Sequence, residues 1–196
     1  MKLCVFQGTF NPIHNSHIRI AEYAYKHKNF DKILFIPAAR PPHKAYIPDM
    51  SIHRYNMVKL VTDSYPEFDI SDIEYRFEDK SYTFNTISEL YKSIPVEGKI
   101  NFLIGTDAFR KIESWYRSDE LKDLLNFIIF IRENNFLESD FLSFKEKGYS
   151  FEFMPLDFQD ISSTEIREKI KNQIPISGLT DIRVEEYIKE NGLYKD

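Results

Sequence analysis

Four apolar runs, Leu3–Phe6, Ile33–Ile36, Phe102–Ile104 and Phe127–Ile131, are too short for helices and are separated by stretches with helical periodicity. A run that is apolar at every position suits a strand buried on both faces, and strands alternating with helices build a parallel sheet covered on both sides. The pattern predicts an α/β fold with a doubly wound, mainly parallel sheet, and Phe68–Ile70 and Phe151–Phe153 are further strand candidates. Helices are expected over Ser16–His27, Ser51–Ser64, Thr83–Ser93, Leu121–Leu125, Phe141–Lys147, Ser163–Lys171 and Asp181–Asn191, the last closed by Gly192. No repeat, linker or low-complexity tract divides the 196 residues, so a single domain is expected over 1–196, with about 162–196 as a helical C-terminal subregion.

The balance of 26 basic against 31 acidic residues, a net charge of −5, argues against a general nucleic-acid or anionic-membrane coat. The one cysteine, Cys4, falls inside the first apolar run, so no intrachain disulfide can form and a cytoplasmic, reducing setting fits. The first residues carry one Lys and an apolar stretch too short for a secretory signal, and no run approaches a membrane span.

Two junctions carry most of the chemistry: Gly8-Thr9-Phe10-Asn11-Pro12-Ile13-His14-Asn15-Ser16-His17 and Ile161-Ser162-Ser163-Thr164-Glu165-Ile166-Arg167. The first follows a predicted buried strand, and both run into a helix start, where unpaired N–H groups and the positive dipole end favour anions. Two such starts suggest a polyphosphate site. Gly8 and Gly105 directly follow predicted central strands, so both would border the crevice at the carboxyl ends of a parallel sheet. The stiff loop Pro41-Pro42-His43-Lys44 follows another strand and could face the same crevice.

His14 and His17, three apart, would project from one helix face and could meet one anion; a structural histidine pair, or a metal site with Cys4 or His43, are the other readings. Ser162, Ser163 and Thr164 by themselves read as ordinary helix caps, and Arg167 one turn on shifts the balance by adding a fork of donors suited to phosphate. Trp115 and Tyr116 could wall a flat ring or belong to the core, and Ser81-Tyr82-Thr83 with Thr86 supplies hydroxyls at a helix start. The motifs GxxxxGK[ST], GxGxxG and GxSxG are absent, and no carboxylate dyad is evident.

Taken together, these segments resemble the bacterial nicotinate-nucleotide adenylyltransferases over nearly the whole chain. Gly8-Thr9-Phe10-Asn11-Pro12 with His14 and His17 matches the superfamily's GTF(D/N)P…HxGH, and Ile161 to Arg167 matches ISSTxIR. Pro41-Pro42-His43-Lys44, Ser81-Tyr82-Thr83 with Thr86, Ile104-Gly105-Thr106-Asp107, Trp115-Tyr116 and Asn191-Gly192-Leu193-Tyr194 narrow the likeness to this family. Two positions depart from its pattern, Gln7 and Ser16, where the family usually has Gly. The resemblance implies a nucleotide-binding sheet that transfers the adenylyl group of ATP to nicotinate mononucleotide, with Mg²⁺ bound through the ATP phosphates. It implies ATP contacts at Gly8, Thr9, Phe10, His14, His17, Lys44, Gly105, Asp107, Ser163, Thr164 and Arg167, with His14, His17 and Arg167 catalytic. Tyr82, Thr83, Thr86, Trp115 and Tyr116 would take the pyridine nucleotide. No resident protein metal site, nucleic-acid partner or membrane is expected, and self-association stays open. The rival readings are the same chemistry on nicotinamide mononucleotide or another phosphate acceptor, and a non-catalytic nucleotide-binding module.

Overall fold

The computed structural model describes residues 1–42, 47–78, 80–132, 135–155 and 161–195. Six strands, β1 (Leu3–Gly8), β2 (Lys32–Pro37), β3 (Phe68–Ile70), β4 (Ile100–Gly105), β5 (Leu125–Phe130) and β6 (Ser150–Met154), form one sheet in the order β3-β2-β1-β4-β5-β6. Every pairing is parallel. The order reverses between β1 and β4, which lie side by side in the middle of the sheet.

Period-two alternation sorts the strand side chains into two cores. Cys4, Phe6, Ile33, Phe35, Leu103, Ile128 and Phe130 lie in one, and Leu3, Val5, Leu34, Ile36, Phe102, Ile104, Phe127 and Ile129 in the other. Helices α1 (Asn15–Lys28), α2 (Pro48–Thr62), α7 (Ser163–Lys171) and α8 (Ile182–Glu190) cover the first through Ile18 and Ala21, Met57 and Val61, Ile166, and Val184 and Ile188. Helices α3 (Thr83–Ser93), α4 (Thr106–Phe109), α5 (Ser118–Leu124) and α6 (Leu142–Glu146) cover the second through Ile87 and Leu90, Phe109, Leu121 and Phe144. Burying each of the larger of these side chains, the Val, Leu, Ile, Met and Phe, contributes about 1.5–3 kcal/mol. This is the doubly wound sheet that the apolar runs predict, with the two suspected strands present as β3 and β6. No helix among the described residues is long and apolar enough to cross a membrane.

The boundaries shift where one element runs straight into another. Leu125, expected to end a helix, opens β5 instead, because its backbone pairs in register with Ile100 of β4. The helix expected from Phe141 is a 3₁₀ turn over Glu138–Phe141 followed by the short α6.

Candidate functional site

Gly8 and Gly105 end the two central strands, so the segments that follow them flank the point where strand order reverses. After β1 the chain turns tightly. Phe10 takes a left-handed conformation, φ 47°, and its buried ring packs edge-on to Phe6 and His17 and tilted against Phe35. Left-handed backbone is unfavourable for a bulky residue, and this packing holds it there. A β-carbon on Gly8 would sit 3.0 Å from the Phe10 ring, so any larger residue there would push the ring out of its place. Arg54 of α2, 4% exposed, staples the loop from below: it donates to the carbonyls of Thr9 at 2.9 Å, Ala38 at 2.6 Å and Ala39 at 3.3 Å.

The turn delivers His14 to the position just before α1 and His17 to its first turn. Their rings stack with centroids 3.7 Å apart. The His14 N–H donates to His17 Nδ1 at 3.2 Å, so neutral His17 carries its proton on Nε2. Burial and the nearby Arg132 guanidinium lower the His14 pKa from 6.5 to about 3. Burial, His14 and Arg132 hold His17 well below the ordinary histidine range as well. Both imidazoles are therefore neutral at pH 7, which lets them stack without charge repulsion. The expected open amides at the start of α1 are in part closed, since Asn15 N–H donates to Leu179 O and its side chain to Gly178 O.

The second junction meets the first directly. Arg167 donates to Asn11 O at 2.8 Å and to Thr164 Oγ1 at 3.2 Å, and Ser163 Oγ donates to Pro12 O at 2.9 Å. Tyr194, beyond α8, donates to Asn11 Oδ1 at 2.7 Å. Ser162 caps α7 by accepting from Glu165 N–H, while the amides of Ser163 and Thr164 have no acceptor among the described residues. These are the donors an anion would meet at a helix start. A cavity of about 260 Å³ opens between the junctions, lined by His14, Ser16, His17, Ile20, Phe130, Arg132, Ser162, Ser163 and Thr164. Arg167 is not among the lining residues. A larger apolar groove lies away from it, between α7 and α8.

At the end of β4, a β-carbon on Gly105 would lie 2.6 Å from Asp107 Oδ1 and 3.1 Å from Arg132 Cδ. Asp107 pairs with Arg132 at 3.8 Å. On the α3 side, Tyr82 and Tyr116 lie with ring centroids 4.8 Å apart, and half-buried Trp115 meets Phe102 edge-on. Thr83 opens α3, and fully buried Thr86 donates its hydroxyl to Glu74 at 2.8 Å. This aromatic group and the 260 Å³ cavity share no lining residue. Lys44 and His43 lie outside the described residues.

Three site residues escape a reading of the chain: Arg54, Glu74 and Arg132. Arg54 sits on an ordinary helix, and Glu74 among alternating charges in a 3₁₀ turn over Ile73–Arg76, so neither stands out. Arg132 carried a usable signal as the first cation beyond the carboxyl end of β5. The two departures from the family pattern both acquire partners. Ser16 Oγ accepts from Ile161 N–H at 3.0 Å, tying α1 to the segment before α7, and Gln7 Nε2 donates to Glu74 Oε1.

Sheet order, crevice and converging junctions define a nucleotidyltransferase of the cytidylyltransferase-like class, whose description matches residues 5–169. A Clostridium botulinum protein named as a probable nicotinate-nucleotide adenylyltransferase is 36% identical, covering 97% of this chain and 98% of its own length. One from Caldicellulosiruptor saccharolyticus, named likewise, is 36% identical over the full length of both chains. The chain belongs to the nicotinate-nucleotide adenylyltransferase family. The fold also matches that of the Plasmodium falciparum nicotinic acid mononucleotide adenylyltransferase complexed with NaAD, with a TM-score of 0.82 at 19% identity over 98% of this chain and 96% of that one.

Proposed function

We propose that this chain transfers the adenylyl group of ATP to nicotinate mononucleotide, forming nicotinate adenine dinucleotide and pyrophosphate, a step of NAD biosynthesis in the cytoplasm. The observation that carries this reading is the direct bonding of the two signature junctions around one cavity, with the amides of Ser163 and Thr164 beside two neutral imidazoles. Residues 1–196 act as one unit in it, with about 162–196 closing the phosphate side.

The acceptor phosphate has a second pKa of about 6, so at neutral pH it can attack the α-phosphorus without a general base. A new P–O bond forms to the acceptor as the bond to the β-phosphate oxygen breaks, and pyrophosphate leaves with that electron pair. What the protein must supply is in-line positioning and hydrogen-bond donors where charge gathers. His17 Nε2–H, His14, the α7 amides and Arg132 are such donors, and Arg167 fixes the loop while offering further N–H groups. Gly8, Thr9, Phe10, Gly105 and Asp107 border the nucleoside, with Lys44 a further phosphate contact. Tyr82, Thr83, Trp115 and Tyr116 serve the pyridine nucleotide directly, while Thr86, fully buried with its hydroxyl on Glu74, supports the start of α3 from behind. The cavity is lined by hydroxyls, amides, two imidazoles and a guanidinium, with no carboxylate among its described lining residues, so Mg²⁺ would be held through the ATP phosphates and neutralise their charge.

The test is to supply ATP and Mg²⁺ with nicotinate mononucleotide or nicotinamide mononucleotide and follow dinucleotide and pyrophosphate. Turnover with the acid form at least tenfold above the amide form is expected. Absence of pyrophosphate with either would overturn the proposal.

A further inference from the structure

On the sheet face opposite the histidines, one carboxyl group joins three segments that the reaction would need in register. Glu74 is 1% exposed. Its Oε1 accepts from Gln7 Nε2 at the end of β1 and from Thr86 Oγ1 in the first turn of α3, and its Oε2 accepts from Ala39 N–H at 3.1 Å in the loop after β2. Gln7 reaches it because odd-numbered residues of β1, such as Leu3 and Val5, face the α3 side. The same β2 loop is fastened again to the start of α3, where Arg40 N–H donates to Ser81 Oγ and Ser81 N–H to Arg40 O.

These groups, together with the Ser81 hydroxyl, which also hydrogen-bonds the carboxyl, are all donors here, and an ionised carboxylate is acceptor-only, so no uncharged side chain of the same size satisfies them without rearrangement. Burying a carboxyl in this way is unfavourable in itself, and burial pushes the Glu74 pKa up while its hydrogen-bond donors pull it down. A group retained at such a position links segments that would otherwise move independently. The segments it links are those that carry the phosphate turn and the helix start presenting Tyr82 and Thr83.

We propose that Glu74 is the positioning residue for the acceptor half of the site, setting the start of α3 against the turn after β1 through Gln7 and Thr86. The identity of the acceptor rests on the function proposed above. Glu74 touches neither substrate in this scheme; it acts through α3. Its removal should therefore weaken the pyridine nucleotide and spare ATP, whose cradle is fastened separately by Arg54, Ser163 and Arg167.

Trp115 is the only tryptophan, so quenching of its fluorescence reports binding on the pyridine side without turnover. For Glu74→Ala, the Kd for nicotinate mononucleotide is expected to rise about tenfold or more, with the KM for ATP within twofold of wild type. Glu74→Gln should recover most of the affinity, because the Gln7 amide can turn over and Thr86 can donate instead to Tyr82 O, 3.3 Å away. Should Glu74→Ala fail to fold, Thr86→Val removes one link and leaves the carboxyl, and a rise of at least threefold for the acceptor alone is expected. Acceptor affinity within twofold of wild type in the folded variants, or equal losses for both substrates, would overturn the assignment while leaving the adenylyl-transfer reading intact. A wild-type protein that binds ATP but neither binds nor adenylylates nicotinate mononucleotide would overturn that reading, and this inference with it.

Discussion

His14 is 4% exposed, and with its pKa near 3 against an ordinary 6.5 it stays neutral in the folded chain long after the unfolded chain has taken up a proton. Between those two values the unfolded state binds the extra proton, so stability rises with pH and is lost as pH falls below about 6.5. One pH unit within that window is worth about 1.4 kcal/mol per group. From pH 7 to pH 5 the His14 contribution comes to about 2 kcal/mol lost, because the unfolded histidine is only partly protonated at the upper limit. His17, lowered by the same causes, adds in the same direction. Urea unfolding of wild type and His14→Asn at the two pH values isolates the effect, since asparagine does not titrate and the carboxylates are common to both proteins. Wild type should lose about 2 kcal/mol more than the variant on acidification. Equal losses in the two proteins would refute the buried, neutral imidazole.

Replacing His17 by Ala should lower kcat roughly 10²-fold with the far-ultraviolet circular dichroism unchanged, as for loss of one transition-state donor; a folded variant with wild-type turnover would remove His17 from the reaction. Arg54→Ala leaves the carbonyls of Thr9 and Ala38 without their guanidinium partner and should cost about 2–4 kcal/mol in urea unfolding. A loss below about 1 kcal/mol would mean that the loop is held by other contacts. Gly105→Ala places a methyl group 2.6 Å from Asp107 Oδ1, so Asp107 must swing away; the KM for ATP should rise several-fold, and an unchanged value would exclude Asp107 from the nucleotide side.

The legible part of this chain was the part governed by local rules. The central strands are buried on both faces, so their continuous apolar runs could be read directly, and Gly8 and Gly105 marked the ends of β1 and β4. Two helix starts with anion-binding character suggested a shared polyphosphate site, but the pairing of Arg167 with Asn11, 156 positions apart, had no local signal. Arg54 and Glu74 had no local signature. Each looks like a surface charge until the fold brings backbone carbonyls to one and a ring of donors to the other, and long-range partnership leaves no trace in spacing. The histidine pKa values were out of reach for the same reason: an exposed pair at a helix start would titrate near 6.5, whereas here Phe6 and Phe10 pack against His17 and Arg132 approaches from the segment after β5.

In the proposed reaction Arg167 would both fasten the loop and meet a phosphate, and its contacts show how one side chain could do both. A guanidinium carries five N–H donors in a fixed fork, and Arg167 directs one to Asn11 O and another to Thr164 Oγ1. The remaining donors stay rigidly aimed because those two are fixed, so any phosphate they meet is held relative to the turn carrying His14. An ammonium at the same place would offer one point of charge on a flexible stem and would have to exchange the loop carbonyl for the anion. In the adenylyl-transfer reading proposed above, orientation would come from sharing one planar group between backbone and ligand, with Ser163 and Ser16 tying the two junctions together.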